Sequence, residues 1–163
     1  MNTKKLYLVN LLLPLFPATR CFSLKRMILR WAGAVVGQNV RIVSSAKFHV
    51  AGNMVIGNNT WIGDYVLIVG GDADVIIGSD VDIGPKVIIV TGTHELFTSK
   101  NKAAGAGYSE KIIIEDGAWI CAASTILAGV TIGRCSIVGA GSVVNRSTEA
   151  GGLYVGVPAK KIK

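Results

Sequence analysis

The imidazole of His94 is the group in this sequence best suited to chemistry. It lies in residues 90–97, VTGTHELF, and is one of two histidines in the chain. Imidazole changes charge near pH 6.5, so histidine is the side chain that most readily accepts a proton near neutral pH. The surrounding sequence is mostly isoleucine, valine and glycine. His94 is therefore a candidate for proton transfer, and the plainer interpretation is a surface histidine without a role.

The remaining reactive side chains indicate little further chemistry. Cys21, Cys121 and Cys135 are an odd number without C-x-x-C spacing, and we interpret them as small, buried, reduced side chains of a cytoplasmic protein. His49 and His94 alone are too few for a zinc site built from three histidines. We expect no metal.

A six-residue repeat forms the scaffold that would position His94. Aliphatic residues recur six apart in four runs: Val36 and Ile42; Ile56, Ile62 and Ile68; Ile77, Ile83 and Ile89; and Ile114, Ile120, Ile126, Ile132, Val138 and Val144. Four places after most of them comes a small or β-branched residue: Val40, Ala46, Thr60, Val66, Val81, Val87, Ala118, Ser124, Val130, Ser136 or Ser142. Each unit predicts a short strand and a corner, and three units make one triangular coil with aliphatic side chains inside.

Interruptions of the repeat predict where function is built. Two extra residues lie between positions 48 and 56, three between 68 and 77, and nineteen between 89 and 114. Each insertion follows the third unit of a coil, so all three should stack along one edge of the prism. His94 stands at the start of the largest insertion, a loop of about residues 91–113.

The N-terminal segment predicts helices rather than repeats. We expect helices at about residues 4–13 and 23–31, a cap of residues 1–35 and a β-helix domain of residues 36–163. The apolar run near the N-terminus is shorter than the roughly 20 residues that a membrane span needs. We interpret it as a segment that is retained in the protein rather than cleaved off as a signal peptide. Two interpretations stay open: a cap over the end of the coils, or helices resting on the inner face of a membrane.

The repeat, VTGTHELF, the segment IEDGAWICAASTILAGVTIGRCSIVGAGSVV and the ending VGVPAKKIK together resemble the hexapeptide-repeat acyltransferases. The similarity runs from about residue 36 to the end and favours the branch of maltose and galactoside acetyltransferases and of enzymes that modify surface polysaccharides. It implies a left-handed parallel β-helix and a homotrimer with active sites between subunits. The general handedness rule for parallel crossovers would have given the opposite hand.

The resemblance also implies roles for individual residues. His94 matches the family's general base, which would act directly on a sugar hydroxyl and acetyl-CoA without an acyl-enzyme. Asp64 falls where sugar-acetylating relatives carry a substrate-binding asparagine, and Asp72 where they often have an acidic residue. Coenzyme A contacts map onto Ala122, Ala140, Asn145, Arg146, Lys160 and Lys163. Ala122 replaces a frequent serine, and the tail lysines replace arginines, which removes bidentate phosphate contacts.

The expected function is therefore an acetyl-CoA-dependent O-acetyltransferase for a saccharide acceptor in surface polysaccharide synthesis, within the cytoplasm. The formal net charge is +7, but no basic stripe with aromatics predicts a nucleic-acid partner. One alternative is N-acetylation of an amino sugar or a nucleotide-linked amino sugar. Two others are a metalloenzyme like the γ-type carbonic anhydrases and a non-catalytic binding solenoid.

Overall fold

The computed structural model of the chain describes residues 1–99 and 101–163. The strands of its coils form three sheets, named here walls A, B and C, and a two-stranded hairpin forms a fourth sheet. Wall A contains β1 (Val35–Val36), β4 (Met54–Ile56), β7 (Val75–Ile77), β12 (Ile112–Ile114) and β15 (Thr131–Ile132). Wall B contains β2 (Arg41–Ile42), β5 (Trp61–Ile62), β8 (Asp82–Ile83), β13 (Trp119–Ile120), β16 (Ile137–Val138), β18 (Leu153–Val155) and β19 (Lys160–Lys161). Wall C contains β3 (Lys47–His49), β6 (Leu67–Val69), β9 (Ile88–Val90), β14 (Thr125–Ile126) and β17 (Val143–Val144).

The chain visits the walls in the order A, B, C, and each strand pairs in parallel with the strand of the next coil. Val55 lies opposite Ile76 in wall A, and Ile62 lies opposite Ile83 in wall B. β19 is antiparallel to β18 and closes wall B at the C-terminal end. The result is a left-handed parallel β-helix of about five turns, which confirms the fold that the repeat and the resemblance predicted.

The interior follows the repeat. Every aliphatic residue of the six-residue series is buried, from Val36 to Val144, and together they form one continuous core. The small and β-branched corner residues are buried as well, including Thr60, Ser124 and Ser136. Because side chains alternate across a strand, the two-residue strands up to β17 and the three-residue strands of wall C each bury one side chain. The three-residue strands of wall A, which are β4, β7 and β12, bury two side chains and turn the middle one outward.

Two helices and three polar side chains cover the first coil. α1 (Thr3–Leu12) is followed by a short 3-10 turn (Leu13–Leu15) and then α2 (Phe22–Trp31). Asn10 accepts from the Phe48 amide and donates to its carbonyl, at wall C. Arg30 donates to the Val36 carbonyl at wall A, and Lys25 to the Ile42 carbonyl at wall B. These hydrogen bonds engage backbone groups at the edge strands of the first coil, which would otherwise be free to pair with a strand of another chain. The division of the chain at residue 36 stays a prediction, since the helices share one core with the coils.

The insertions meet at one edge, as the sequence predicted. The edge where the chain leaves wall C and enters wall A is named here the C–A edge, and all three insertions lie on it. The largest one forms an antiparallel hairpin of β10 (Gly92–Ser99) and β11 (Lys102–Ser109) rather than an irregular loop. Lys100, within the predicted loop, lies outside the described residues. The opposite edge of wall C, where the chain arrives from wall B, is named the B–C corner.

Candidate active site

The hairpin of β10 and β11 positions His94. It leaves wall C after Val90 and returns where the Glu110 amide donates to the Thr91 carbonyl at 2.9 Å. His94 lies opposite Gly107, but Leu96 lies opposite Ala104, so β11 contains one residue more than β10 between these pairs. Such a bulge bends the strand and changes where neighbouring groups point.

The bulge places a carbonyl oxygen beside the imidazole of His94. The Nδ1 atom lies 3.0 Å from the carbonyl oxygen of Gly105. Because a carbonyl can only accept, this contact assigns the hydrogen to Nδ1 and leaves Nε2 with the lone pair. His94 is exposed, so its ring points away from the core of the coils. Neutral His94 in this tautomer is equipped to accept a proton at Nε2.

A cleft of about 360 Å³ lies beside His94 on the C–A edge. The residues that line it are Gly71, Asp72, Gly92, Thr93, His94, Gly107, Tyr108 and Ser109. They come from two insertions, the three-residue one before β7 and the hairpin. The glycines have no side chains that would fill the cleft. The polar side chains can form hydrogen bonds with groups such as sugar hydroxyls.

Asp72 is tied to the hairpin by Ser109. The Ser109 hydroxyl donates to a carboxylate oxygen of Asp72 at 2.6 Å and accepts from the Ala73 amide at 3.1 Å. The bond from Ser109, with a smaller contribution from the backbone amide of Asp72, lowers the pKa of this carboxyl. Asp72 is therefore a carboxylate at neutral pH, in the same cleft as His94.

Asp64 lies away from that cleft, at the B–C corner. The hydroxyl of Ser45 donates to its carboxylate and accepts from the Tyr65 amide at 2.9 Å. Within one chain, Asp64 and His94 are separated by the width of wall C, on the order of 15 Å. The structure does not bring these two predicted residues together in a single subunit.

Two of the predicted coenzyme A residues stack on the B–C corner. Ala122 and Ala140 occupy the same place in successive coils, and the Gly141 amide donates to the Ala122 carbonyl at 2.9 Å. Ala140 is exposed and Ala122 is half-buried. The corner is open here, since a Cβ atom at Gly141 would have no described atom within 4 Å other than those of the adjacent residues in the chain.

The charged and polar residues that were predicted to contact coenzyme A do not lie together at this corner. Asn145 and Arg146 are exposed on the C–A edge, after β17. Lys160 pairs with Val155 at the end of β18 near the B–C corner. Lys163 lies beside the start of β18, where its carbonyl accepts a hydrogen bond from the Leu153 amide. The two lysines thus stand at opposite ends of β18.

Sequence reasoning did not single out Ser109, Gly105 or Lys161. Ser109 and Gly105 lie in a stretch of small residues that carries no motif, and only the pairing of β11 shows what they contact. Lys161 forms an ion pair with Glu149 at 2.6 Å, and this hydrogen bond raises the pKa of Lys161 and lowers that of Glu149. Lys161 is therefore engaged within its own chain.

Among residues 1–99 and 101–163, the side chains of histidine, cysteine, aspartate and glutamate form no group of three or more that could hold a metal ion.

Comparison with known proteins identifies relatives of the chain. Residues 111–146 match the family profile "Bacterial transferase hexapeptide (six repeats)". The putative colanic acid biosynthesis acetyltransferase WcaF of Escherichia coli K12 is 32% identical over 140 residues, which are 85% of this chain and 74% of that protein. The galactoside O-acetyltransferase of Lactococcus lactis is 32% identical over 123 residues, which are 76% of this chain and 59% of the relative.

A solved structure has the same fold along the whole chain. The hexapeptide-repeat acetyltransferase VCA0836 of Vibrio cholerae, complexed with acetyl coenzyme A, superposes with a TM-score of 0.82 at 27% sequence identity. The match covers 99% of this chain and 85% of the other. By contrast, the chain spans less than two thirds of the galactoside O-acetyltransferase of L. lactis.

Proposed function

The chain belongs to the hexapeptide-repeat transferases, in their sugar O-acetyltransferase branch, and on this basis we propose that it transfers an acetyl group from acetyl-CoA to a sugar hydroxyl. The acceptor we propose is a saccharide of surface polysaccharide synthesis, such as capsule, O-antigen or exopolysaccharide. WcaF, named for colanic acid biosynthesis, supports this acceptor class. The observation that carries the proposal is the orientation of His94, with Nδ1 on the Gly105 carbonyl and Nε2 left to accept a proton.

The proposed reaction is a direct transfer. His94 Nε2 takes the proton of the sugar hydroxyl while that oxygen forms a bond to the thioester carbonyl carbon. The carbon–sulfur bond breaks, and the proton on His94 passes to the departing thiolate of coenzyme A. General-base catalysis of this kind typically contributes about 10²–10⁴ in rate. No nucleophilic serine or cysteine is required, and burial raises the pKa of the Cys121 thiol, which disfavours a reactive thiolate there.

Asp72 is proposed to bind the acceptor. Its carboxylate lines the cleft with His94 and keeps lone pairs in addition to the one used by Ser109. A second sugar hydroxyl that donates to Asp72 would hold the reacting hydroxyl near Nε2. When an enzyme holds two bound molecules in the reactive geometry, that positioning can lower the activation barrier substantially.

The assembly we propose is a homotrimer with active sites between subunits. Within one chain, the acceptor cleft lies on the C–A edge while Ala122, Ala140 and Asp64 lie on the B–C corner, one wall away. If the B–C corner of one subunit faces the C–A edge of the next, both halves meet in one site. Asp64 would then contact the acceptor or the imidazole of its neighbour.

For acetyl-CoA we propose the exposed B–C corner of Ala122 and Ala140 together with Lys160 and Lys163 of the same subunit, and Asn145 and Arg146 on the C–A edge of the neighbouring subunit. Small side chains leave the backbone of this corner accessible, and cations suit the phosphates of the substrate. Lys163 stands at the end of β18 that is far from this corner. It would contact acetyl-CoA only if the bound substrate or the C-terminal tail spans the length of β18. The proposal places the reaction in the cytoplasm, which suits the three free cysteines. The prediction that all three are buried is wrong, because Cys21 and Cys135 are exposed and only Cys121 is partly buried.

The test is acetyl-CoA thiol release over a panel of acceptors, with the acetylated product analysed by mass spectrometry and NMR. The panel contains neutral hexosides, oligosaccharides and matched amino sugars. Thiol release that depends on a sugar and gives an acetyl ester is the expected result. An acetyl amide as the sole product would replace the O-acetylation proposal by N-acetylation. Thiol release that no saccharide stimulates would contradict both.

A further inference from the structure

The outward side of α1 is apolar. Leu8, Leu11 and Leu12 of α1, with Leu15 of the 3-10 turn that follows it, have the i, i+3, i+4, i+7 spacing of one helix face, and between 38% and 76% of the surface of each residue is exposed. The opposite side of α1, with Leu6, Val9 and Asn10, is buried on the first coil. The helix therefore has two apolar sides, and folding of the chain covers only one of them.

α2 extends this exposed surface. Met27 and Trp31 lie one helical turn apart, and 58% and 48% of their surfaces are exposed. Leu12, Met27, Ile28 and Trp31 line a groove of about 370 Å³ between the two helices. We call the surface formed by Leu8, Leu11, Leu12, Leu15, Met27 and Trp31 the N-terminal apolar face. It lies at the end of the coils, since the helices pack on the three strands of the first turn.

Positive charge is concentrated at the same end. The first 63 residues contain eight lysines and arginines and no aspartate or glutamate, whereas the remaining 100 residues contain nine basic and ten acidic residues. The net charge of +7 therefore belongs to the N-terminal part of the chain. Lys4 and Arg20 are exposed, and the ammonium of Lys5 lies 4.9 Å from the centre of the Trp31 ring, at the border of the apolar face.

We propose that the N-terminal apolar face docks the protein onto an anionic lipid bilayer, end-on, with the leucines and Trp31 in the interface and Lys4, Lys5 and Arg20 at the lipid phosphates. Exposed apolar area combined with basic residues is the combination that holds a helix in a membrane interface. Tryptophan suits such a boundary, with an apolar ring and a polar N–H. The docking is peripheral: among the described residues, no helix has the length and apolar character needed to cross a bilayer.

Charge favours a bilayer over a second copy of this chain. A symmetric contact through this face would bring together two ends whose exposed charged residues include Lys4 and Arg20, in a part of the chain, residues 1–63, that contains no acidic residue. Like charges at a contact oppose association, while an anionic surface is complementary to them. The inference is independent of the proposed acetyl transfer and does not require it.

The experiment is vesicle flotation with the full-length protein. One vesicle type contains phosphatidylcholine and phosphatidylglycerol in equal parts, and the other phosphatidylcholine alone. We expect wild type to float with the anionic vesicles and to bind neutral ones much more weakly, with binding that falls as salt rises. Leu11→Gln/Leu15→Gln should lower the apparent affinity at least about tenfold. Lys4→Gln/Lys5→Gln should lower it by about tenfold as well.

Matched controls separate the face from general surface properties. Ile162→Gln changes a similarly exposed aliphatic (62%) at the far end of the chain, and Lys102→Gln/Lys111→Gln removes two charges elsewhere; both should bind like wild type. Thermal unfolding of every variant should match wild type, because the changed side chains are largely on the surface. Wild type that stays off anionic vesicles, or a leucine variant that binds as well as wild type, overturns the proposal. It is also overturned if the leucine variant has a smaller assembly mass, since the face would then be a subunit contact.

Discussion

The imidazole of His94 and the carbonyl of Gly105 are partners across a bulged hairpin, with 3.0 Å between Nδ1 and the oxygen. The pair exists because β11 carries one extra residue opposite the segment from His94 to Leu96. A backbone carbonyl fixes both the tautomer and the direction of the ring without another titratable side chain. The hairpin thus holds a proton acceptor at the rim of a cleft, on a scaffold that is otherwise aliphatic.

Gly107 should tolerate only a small side chain, because it lies opposite His94. A Cβ at this position would lie 3.4 Å from Cε1 of the imidazole. Gly107→Ala should retain turnover within about threefold, whereas Gly107→Val should displace the ring and lower turnover about tenfold or more. Steady-state thiol release measures both variants. Equal turnover of Gly107→Val and wild type would show that the position of the ring is not limiting.

Asp72 should affect acceptor binding more than the chemical step. Asp72→Asn keeps the shape of the side chain but removes the charge, so we expect the KM for the acceptor to rise about tenfold with a smaller change in kcat. The KM for acetyl-CoA should stay constant. A fall in kcat alone would mean that Asp72 acts on the reacting atoms rather than on the bound sugar.

Ser109 should control the ionisation of Asp72. Because its hydroxyl stabilises the carboxylate, Ser109→Ala should raise the pKa of Asp72 towards the ordinary value of about 3.9. A group whose pKa is lowered by folding adds stability above its unfolded pKa, and this contribution disappears as the pH falls through the folded value. NMR titration of the Asp72 carboxyl in both proteins measures the change. An identical titration would show that the hydrogen bond does not persist in solution.

Lys25 should be a structural cation of the N-terminal cap. Its side chain is fully buried, and its ammonium donates to the carbonyls of Pro17, Ala18 and Ile42 at 2.8–3.1 Å. Lys25→Met fills similar space but leaves these acceptors unpaired, and should lower the free energy of unfolding by about 1–3 kcal/mol. Denaturant unfolding measures it, with the exposed Lys86→Met as control. A stability equal to that of the control would contradict the role assigned to Lys25.

The pH dependence of the Lys25 contribution has a defined sign. Burial lowers the pKa of this lysine, so the unfolded chain binds its proton more tightly than the folded one. Between the folded pKa and the ordinary value of about 10.4, the unfolding free energy should therefore rise with pH relative to Lys25→Met. A wild-type minus variant difference that falls over this window would contradict it.

The proposed assembly predicts a particle of three times the chain mass of 17.1 kDa. Sedimentation equilibrium or light scattering measures it. Asp64→Ala should leave this mass unchanged and lower acetyl transfer, because Asp64 on the B–C corner would serve the cleft of the neighbouring subunit. A monomer with full activity would contradict an intersubunit site.

Much of the fold could be read from the sequence because the repeat is a direct record of burial. Each coil buries three apolar residues at fixed spacing, so a shift of phase marks an insertion, and its place in the coil assigns it to the C–A edge. His94 could be identified in the same way, because it stands where the largest of these insertions begins.

The hairpin and the cap bonds left no comparable signal. Residues 102–109, KAAGAGYS, show no alternation of apolar and polar residues, and their strand is defined by pairing with β10. The contacts of Ser109 with Asp72 and of Lys25 with Ile42 join residues far apart in sequence. No local spacing rule reports such bonds, which depend on how the coils and helices stack.

Acetyl transfer by His94→Ala, on protein shown to keep the wild-type assembly mass and unfolding temperature, tests the central claim most directly. With saturating acetyl-CoA and the best acceptor of the panel, we predict that turnover falls by at least about 10²-fold, because the proton acceptor is lost while the cleft remains. Turnover equal to that of wild type would contradict the assignment of His94 as the general base.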